Sequence, residues 1–158
     1  MRTDGQVSEH VQARPEELYD LVADVTRIGE FSPECVAARW IDGEPPARPG
    51  MRFRGRNEAT RLLRWSRLCE VVTAEPAREF SFRTVATVTK PDSTLWTYRF
   101  QPVDGGTDVT ESYEIVKLPP RPVLALYRRL LPHHMDMRPH LRRTLASIKR
   151  AAESRAPS

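Results

Sequence analysis

A carboxylate lies in line with aromatic side chains in the stretch TLWTYRFQPVDGGTDVTESYEI, residues 94–115. Alternation with a period of two predicts a hairpin whose first strand carries Trp96, Tyr98 and Phe100 on its inner face. After the turn at 104–106, the same face continues through Val109, Glu111, Tyr113 and Ile115. A buried charge without a partner is costly. Glu111 therefore either has an ionic partner or serves as a general acid or base.

Arg67 is the predicted partner of Glu111. In the strand expected at 62–72, the more apolar face consists of Leu63, Trp65, Arg67, Cys69 and Val71. This alternation sends Arg67 inward, where its guanidinium and the carboxylate of Glu111 would compensate each other. Two other interpretations stay open: the pair is purely structural, or Glu111 lies near the strand end, where water reaches it.

His134 is the third candidate for chemistry. It falls in an apolar stripe at helical spacing, with Leu130, Met137, Leu141, Leu145 and Ile148. Because the pKa of imidazole lies near neutrality, a histidine that faces a cavity can act as a general base or orient a carbonyl group. The alternative is a histidine that is hydrogen-bonded in the core or exposed at the cavity mouth.

The segment HHMDMRPH raises the question of a metal site. It places His133, His134, Asp136 and His140 close together in the chain. On one continuous helix, His133 and His140 share a side while His134 points elsewhere, so the ligands would not converge. We therefore expect no metal. We also expect no cofactor, because the sequence lacks a phosphate-binding glycine loop, a nucleophile elbow and a cysteine cluster.

The elements that must position these residues follow from periodicity and turn residues. A strand is expected at 6–13, a short amphipathic helix begins at Pro15, and a further helical turn covers 26–31. Strands are then expected at 34–41, 51–57, 62–72 and 79–88, followed by the hairpin, with a Pro/Gly-rich loop at 42–50. Short turns between successive strands predict an antiparallel sheet with one buried face.

A helical period runs from Pro120 to about Glu153. Pro132 and Pro139 interrupt it, so we expect a break near 132 and a kink near 139. This long C-terminal helix is the cover that the apolar face of the sheet requires. Residues 154–158 are expected to be a frayed tail.

Length and composition indicate one domain over residues 1–158, with 39% hydrophobic and 29% charged residues. No apolar run is long enough to span a bilayer, and the N-terminus has no secretory h-region. A cytoplasmic protein is therefore expected, in which Cys35 and Cys69 are reduced thiols; a disulfide between them is the less favoured alternative. The sequence carries no signal that sets an oligomeric state.

The basic charge is concentrated at the C-terminal end. Residues 121–158 contain nine Arg and Lys against two acids, whereas residues 1–120 contain sixteen against nineteen. A solvated helix face is the favoured explanation, because aromatic residues are not interleaved as nucleic-acid binding would require. No nucleic-acid partner is expected. Docking on an acidic partner or membrane surface is the alternative.

The chain resembles the START-like helix-grip (SRPBCC) superfamily, and within it the bacterial polyketide cyclase/dehydrase and lipid-transport group. Three segments carry the resemblance: SEHVQARPEELYDLVADVTRIGEFSPE, LWTYRFQPVDGGTDVTESYE and LRRTLASIKRAAE. It implies an α+β fold, in which a curved antiparallel sheet of about seven strands wraps a long C-terminal helix. It also implies a deep cavity between them for an apolar small molecule. The expected ligand contacts are Phe53, Trp65, Phe80, Phe82, Trp96, Tyr98, Phe100, Tyr113, Met137 and Leu141.

Two functions compete on this basis. The first is binding of a lipid- or polyketide-like molecule without catalysis, favoured by many inward aromatic residues and few inward ionisable ones. The second is an aromatase/cyclase that closes a poly-β-keto chain by aldol condensation and loss of water. There Glu111 or His134 would be the base, and Arg67 or Tyr98 would stabilise the enolate. Ser66 and Arg67 are adjacent and face opposite ways, unlike the inward serine–arginine pair of the known cyclases, so binding is favoured.

Overall fold

The computed structural model describes residues 1–154, and the end of the expected frayed tail, 155–158, lies outside the described residues. The first half of the chain contains β1 (Asp4–Val11), α1 (Pro15–Ala23), a 3₁₀-helix (Val25–Glu30), β2 (Cys35–Trp40), β3 (Arg52–Glu58) and β4 (Arg64–Glu75). The second half contains β5 (Glu79–Thr84), β6 (Ser93–Val103), β7 (Gly106–Lys117), α2 (Arg121–Leu130), a 3₁₀-helix (Pro132–Met135) and α3 (Arg138–Glu153).

Within the described chain, seven strands form one antiparallel sheet in the order β1-β7-β6-β5-β4-β3-β2. Strands that follow one another in sequence are neighbours, except that β1 pairs with β7, as in Val7 opposite Glu111. The C-terminal helices lie across the inner face of the sheet, and α3 packs on β1 and β7. This is the α+β helix-grip architecture that the sequence predicts.

The hairpin β6–β7 turns at two glycines. Gly105 has a φ of 81° and Gly106 a φ of 151°, both in the region that favours glycine. A side chain at Gly106 would also collide with the backbone carbonyl of Val11. The turn and the close approach of the β1 end therefore both require glycine at this position.

Strand β5 is shorter than the alternation predicts. The expected strand reached residue 88, but β5 ends at Thr84 and the side chain of Val88 is 99% exposed. The amide of Val85 donates to the carbonyl of Leu68 at 2.8 Å, which is the last bond between the two strands. Beyond it the chain leaves the sheet and returns at Ser93, so the loop includes Asp92.

The C-terminal region is not one helix. The predicted break near 132 is confirmed, because α2 ends at Leu130 and a 3₁₀-helix begins at Pro132. The kink predicted at Pro139 is wrong: Pro139 lies in the first turn of a new helix, α3, where its missing amide costs no hydrogen bond. Two helices and a turn thus replace the single helix, and this changes where the histidines point.

The core fills one end of the inner face. Phe80 and Phe100 pack edge-on against Tyr19 of α1, with ring centroids 6.2 and 6.1 Å away. Leu145 and Ile148 of α3 are buried in the same cluster. The other end of the inner face, toward the start of α3, remains open and forms a cavity.

Candidate functional site

A cavity of about 300 Å³ lies between the inner face of the sheet and the C-terminal helices. Eight of the ten expected ligand contacts line it: Phe53, Trp65, Phe82, Trp96, Tyr98, Tyr113, Met137 and Leu141. Phe80 and Phe100 belong instead to the core around Tyr19. Alternation identifies the inner face correctly, but it does not tell which end of that face α1 fills.

Glu111 faces inward from β7, as predicted, and is 3% exposed. It lies directly opposite Tyr98 of β6 in the ladder. Burial raises the pKa of Glu111 to about 8, and a hydrogen bond with the Tyr98 hydroxyl only partly opposes this effect. Its Oε2 atom has no hydrogen-bond partner among the described residues. The buried setting of Glu111 therefore favours its protonated form, and one of its carboxyl oxygens has no partner among the described residues.

Arg67 also faces the cavity, but the expected pairing with Glu111 is wrong. The Nη1 atom of Arg67 lies 3.2 Å from both carboxylate oxygens of Asp92, and Nη2 donates to the Asp92 carbonyl at 2.9 Å. The Tyr127 hydroxyl of α2 donates to the same carboxylate at 3.1 Å. Asp92 is near because β5 ends early and its following loop folds over the cavity. Arg67 thus has its counter-charge in Asp92, and Glu111 has no ionic partner among residues 1–154.

His134 lines the cavity wall, and its Nε2 atom donates a hydrogen bond to Oε1 of Glu34 at 2.8 Å. The segment that precedes β2 holds Glu34 in place. The Ser32 hydroxyl accepts from the Glu34 amide, and the Glu34 carbonyl accepts from the Glu58 amide at 3.0 Å. His134 also packs edge-on against Trp65, with ring centroids 6.2 Å apart. Its surroundings are therefore polar on one side and aromatic on the other.

Two further histidines face Glu34. The Nε2 atom of His133 lies 3.3 Å from Oε1, and that of His140 lies 3.7 Å from Oε2. Burial opposes ionisation of Glu34, but the hydrogen bond from His134 and the neighbouring imidazoles prevail and hold its pKa below the usual range. Burial lowers the pKa of His140 to about 4. The expectation of no metal assumed that the three histidines lie on one continuous helix. The break between α2 and α3 shows that they do not.

Sequence reasoning missed Asp92, Tyr127 and Glu34. Asp92 stands in a segment, KPDS, that has the composition of an ordinary turn. Glu34 is the first residue of the strand expected at 34–41, but β2 begins only at Cys35, so the alternation of that strand does not give its direction. Tyr127 lies three residues before Leu130, so helical spacing extends the inward stripe to it, but the stripe was counted only from Leu130. Each acts through a contact between segments distant in sequence, and local pattern carries no signal for such contacts.

An antiparallel sheet closed by C-terminal helices over an internal cavity defines a helix-grip protein. Residues 2–153 match the family described as polyketide cyclase / dehydrase and lipid transport. The chain belongs to that family. No curated protein matches it significantly. In the described residues, no helix has both the length and the apolar character needed to cross a bilayer.

Several solved structures share the fold. Protein CV1439 from Chromobacterium violaceum is 14% identical, with a TM-score of 0.69 and 100% of both chains covered. TTHA0849 from Thermus thermophilus is 17% identical, with a TM-score of 0.71 over 98% of this chain and 99% of that one. The di-domain ARO/CYC StfQ from the steffimycin biosynthetic pathway is 14% identical, with a TM-score of 0.72 over 97% of this chain and 51% of that one. At these identities the likeness extends to the fold alone.

Proposed function

We propose that this protein binds an apolar small molecule, lipid- or polyketide-like, in the cavity between the sheet and the C-terminal helices. The observation that carries the proposal is the cavity itself, which is about 300 Å³ in volume and has mostly aromatic and aliphatic walls. This volume is at the lower end of the range of about 300–1,000 Å³ for small-molecule pockets. Core packing normally leaves no void of this size.

The few polar groups in the cavity would orient the ligand. Glu111 offers a free carboxyl oxygen deep on the β7 side. Arg67 and Asp92 compensate each other's charge on the β4 side, so this part of the cavity wall carries no net charge. We expect a molecule with an apolar body and one carbonyl or hydroxyl group that reaches Glu111.

A cavity-filling substitution tests this proposal. Leu141→Trp adds an indole at a side chain that is 1% exposed and lines the cavity. Leu62→Trp makes the same change where the side chain is 98% exposed, and it is the matched control. We expect cis-parinaric acid to bind the delipidated wild type saturably, with the affinity reduced at least about tenfold in Leu141→Trp and unchanged in Leu62→Trp. Equal affinities in all three proteins would contradict binding in the cavity.

A second candidate function is aldol cyclisation of a poly-β-keto chain, and Glu111 is the observation that favours it. Its pKa of about 8 suits a general base that takes an α-proton near neutral pH. The hydroxyl of Tyr98, directly across the ladder, is the group that could stabilise the enolate oxygen.

Glu111→Gln separates this activity from binding. With a poly-β-keto thioester mimic, we expect the cyclisation rate of the wild type to rise with pH through about 8, as Glu111 loses its proton. The Gln variant should lose about 10²-fold or more in rate. It should bind cis-parinaric acid within about threefold of the wild type, because its amide can still hydrogen-bond to the ligand. If turnover is absent in the wild type, or the same in the variant, the binding function stands without this catalysis.

A further inference from the structure

We propose that Glu34, His133 and His134 form a site for a divalent transition-metal ion of the zinc class, with His140 as a positioning residue. The three ligand atoms, one from each side chain, all lie within 4.8 Å of one another. Imidazole nitrogen and carboxylate oxygen are the donors that Zn²⁺ takes together in open, three-ligand sites. The proposal concerns the wall of the cavity and does not depend on which molecule the cavity holds.

The distances suit an ion at this point. Ligands about 2.0–2.1 Å from a tetrahedral zinc are separated from one another by roughly 3.3 Å. The Oε1 atom of Glu34 lies 3.3 Å from Nε2 of His133 and 2.8 Å from Nε2 of His134. The two imidazole rings meet edge to face with centroids 4.4 Å apart, so their nitrogens approach the carboxylate from different directions. Both distances from Oε1 are therefore close to the ligand separation of a tetrahedral zinc site.

The backbone explains why neighbouring histidines can share one target. Residues 132–135 form a single 3₁₀ turn, which is tighter than an α-helix and changes the direction of consecutive side chains. Two backbone hydrogen bonds fix this turn: the His134 amide donates to the Leu131 carbonyl at 2.9 Å, and the Arg2 amide donates to the Met135 carbonyl at 2.8 Å. The two histidine ligands thus lie on a segment that is hydrogen-bonded on both sides.

His140 supplies a second, independent indication. It projects from the first turn of α3, its ring stacks on His133 with centroids 5.6 Å apart, and its side chain is 15% exposed. Its Nε2 atom is buried without a hydrogen-bond partner among the described residues, and it points at Oε2 of Glu34 from 3.7 Å. A buried polar atom without a partner is costly. If Oε1 of Glu34 binds the ion, Oε2 can turn to accept a hydrogen bond from Nε2 of His140. That nitrogen then no longer lacks a partner.

The ion would have an open coordination position on the cavity side, because Glu34 and His134 both line the cavity. A three-ligand site of this kind holds water or an oxygen atom of a bound molecule in its fourth position. Asp136, the acid that the sequence places beside the histidines, does not take part. Its carboxylate is held by Arg138, with Nη2 and Oδ2 2.7 Å apart.

The test uses untagged full-length protein that has been stripped with EDTA and titrated with Co²⁺ and Zn²⁺. The chain has four histidines, and His10, paired with Asp108 on the exposed side of β1, provides the matched control. We expect one Co²⁺ per chain, with visible absorption bands typical of four-coordinate N/O ligation, and a Zn²⁺ Kd below about 1 µM by chelator competition. Saturating Zn²⁺ should raise Tm by about 5–10 °C.

Substitutions then locate the site. His134→Ala and His133→Ala should each weaken Zn²⁺ binding at least about 100-fold, His140→Ala about tenfold, and His10→Ala not at all. Thermal unfolding without metal checks that each variant folds. The absence of one-to-one binding in the wild type would overturn the proposal and leave a hydrogen-bonded histidine cluster. Zn²⁺ binding that is weakened as much by His10→Ala as by His134→Ala would also overturn the proposal. Either result leaves the parinaric acid experiment unaffected.

Discussion

The pH dependence of stability gives the sharpest test of the environment of Glu111. The folded pKa of Glu111 is raised to about 8, whereas the ordinary value is 4.5. Between pH 4.5 and about pH 8, Glu111 has released its proton in the unfolded chain but still holds it in the folded protein. The stability that Glu111 contributes is therefore fully present below the unfolded pKa and is lost as pH rises toward 8.

The size of the effect follows from the shift. One pKa unit corresponds to about 1.4 kcal/mol, so the wild type should lose up to about 3 to 4 kcal/mol of unfolding free energy between pH 5 and pH 8 through this group alone. Glu111→Gln cannot ionise and should not show this loss. The variant should thus be close to the wild type at pH 5 and clearly more stable at pH 8, by about 3 kcal/mol of unfolding free energy.

The assay is urea unfolding of wild type and variant at four or five pH values from 5 to 8.5, plotted as the difference between them. His140 titrates in the opposite sense at the acidic end, because burial lowers its pKa to about 4, but it is present in both proteins and cancels. Glu114→Gln, on the exposed face of the same strand, is the control and should give a curve parallel to that of the wild type. A difference between variant and wild type that does not grow from pH 5 to pH 8 would refute the reasoning, since it would mean that the folded pKa of Glu111 lies near its ordinary value.

Three other outcomes are expected. The side chains of Arg67 and Asp92 are only 10% and 15% exposed, and Asp92→Asn leaves Arg67 without its counter-charge. This substitution should lower the free energy of unfolding, measured in urea, by about 3 kcal/mol. A loss near zero would show that water screens the pair. Phe80→Ala should cost about 3–5 kcal/mol but leave the affinity for cis-parinaric acid unchanged, and a weakened affinity would place Phe80 at the cavity after all. Burial raises the pKa of Cys35 to about 11 and of Cys69 to about 12. Both free thiols should therefore react with a disulfide reagent at pH 8 at least about 100-fold more slowly than in urea; rapid labelling would contradict the raised pKa values.

The sequence was sufficient to predict which way a strand residue faces. The alternation in β7 places Glu111 inward, and the alternation in β4 does the same for Arg67; both line the cavity. Such a pattern is local and has a fixed period, so it can be read from a few residues. It does not tell which inward residues meet. The partner of Arg67 is Asp92, from a loop that leaves the sheet, and no period applies there.

The histidines show the same limit in a helix. Apolar spacing predicts that His134 faces inward, and it lies on the cavity wall. The proline at 132 correctly predicts a break, but not the direction in which the chain continues after it. That direction depends on packing against distant segments, such as the bond from the Arg2 amide to Met135. The direction that the chain takes after Pro132 brings three histidines to Glu34, a residue one hundred positions earlier than His134.

The pairing of β1 with β7 has a consequence for synthesis of the chain. β1 is an edge strand, and in the described sheet its ladder is with β7 alone, so it cannot be completed until residues 106–117 have been made. At about 5–20 residues per second, the first strand waits on the order of 5 to 20 s on the ribosome without its partner. Its sequence, DGQVSEHV, offers only Val7 and Val11 as large apolar side chains. A strand so poor in apolar residues is a weak template for aggregation, and it can remain unpaired until the last strand arrives.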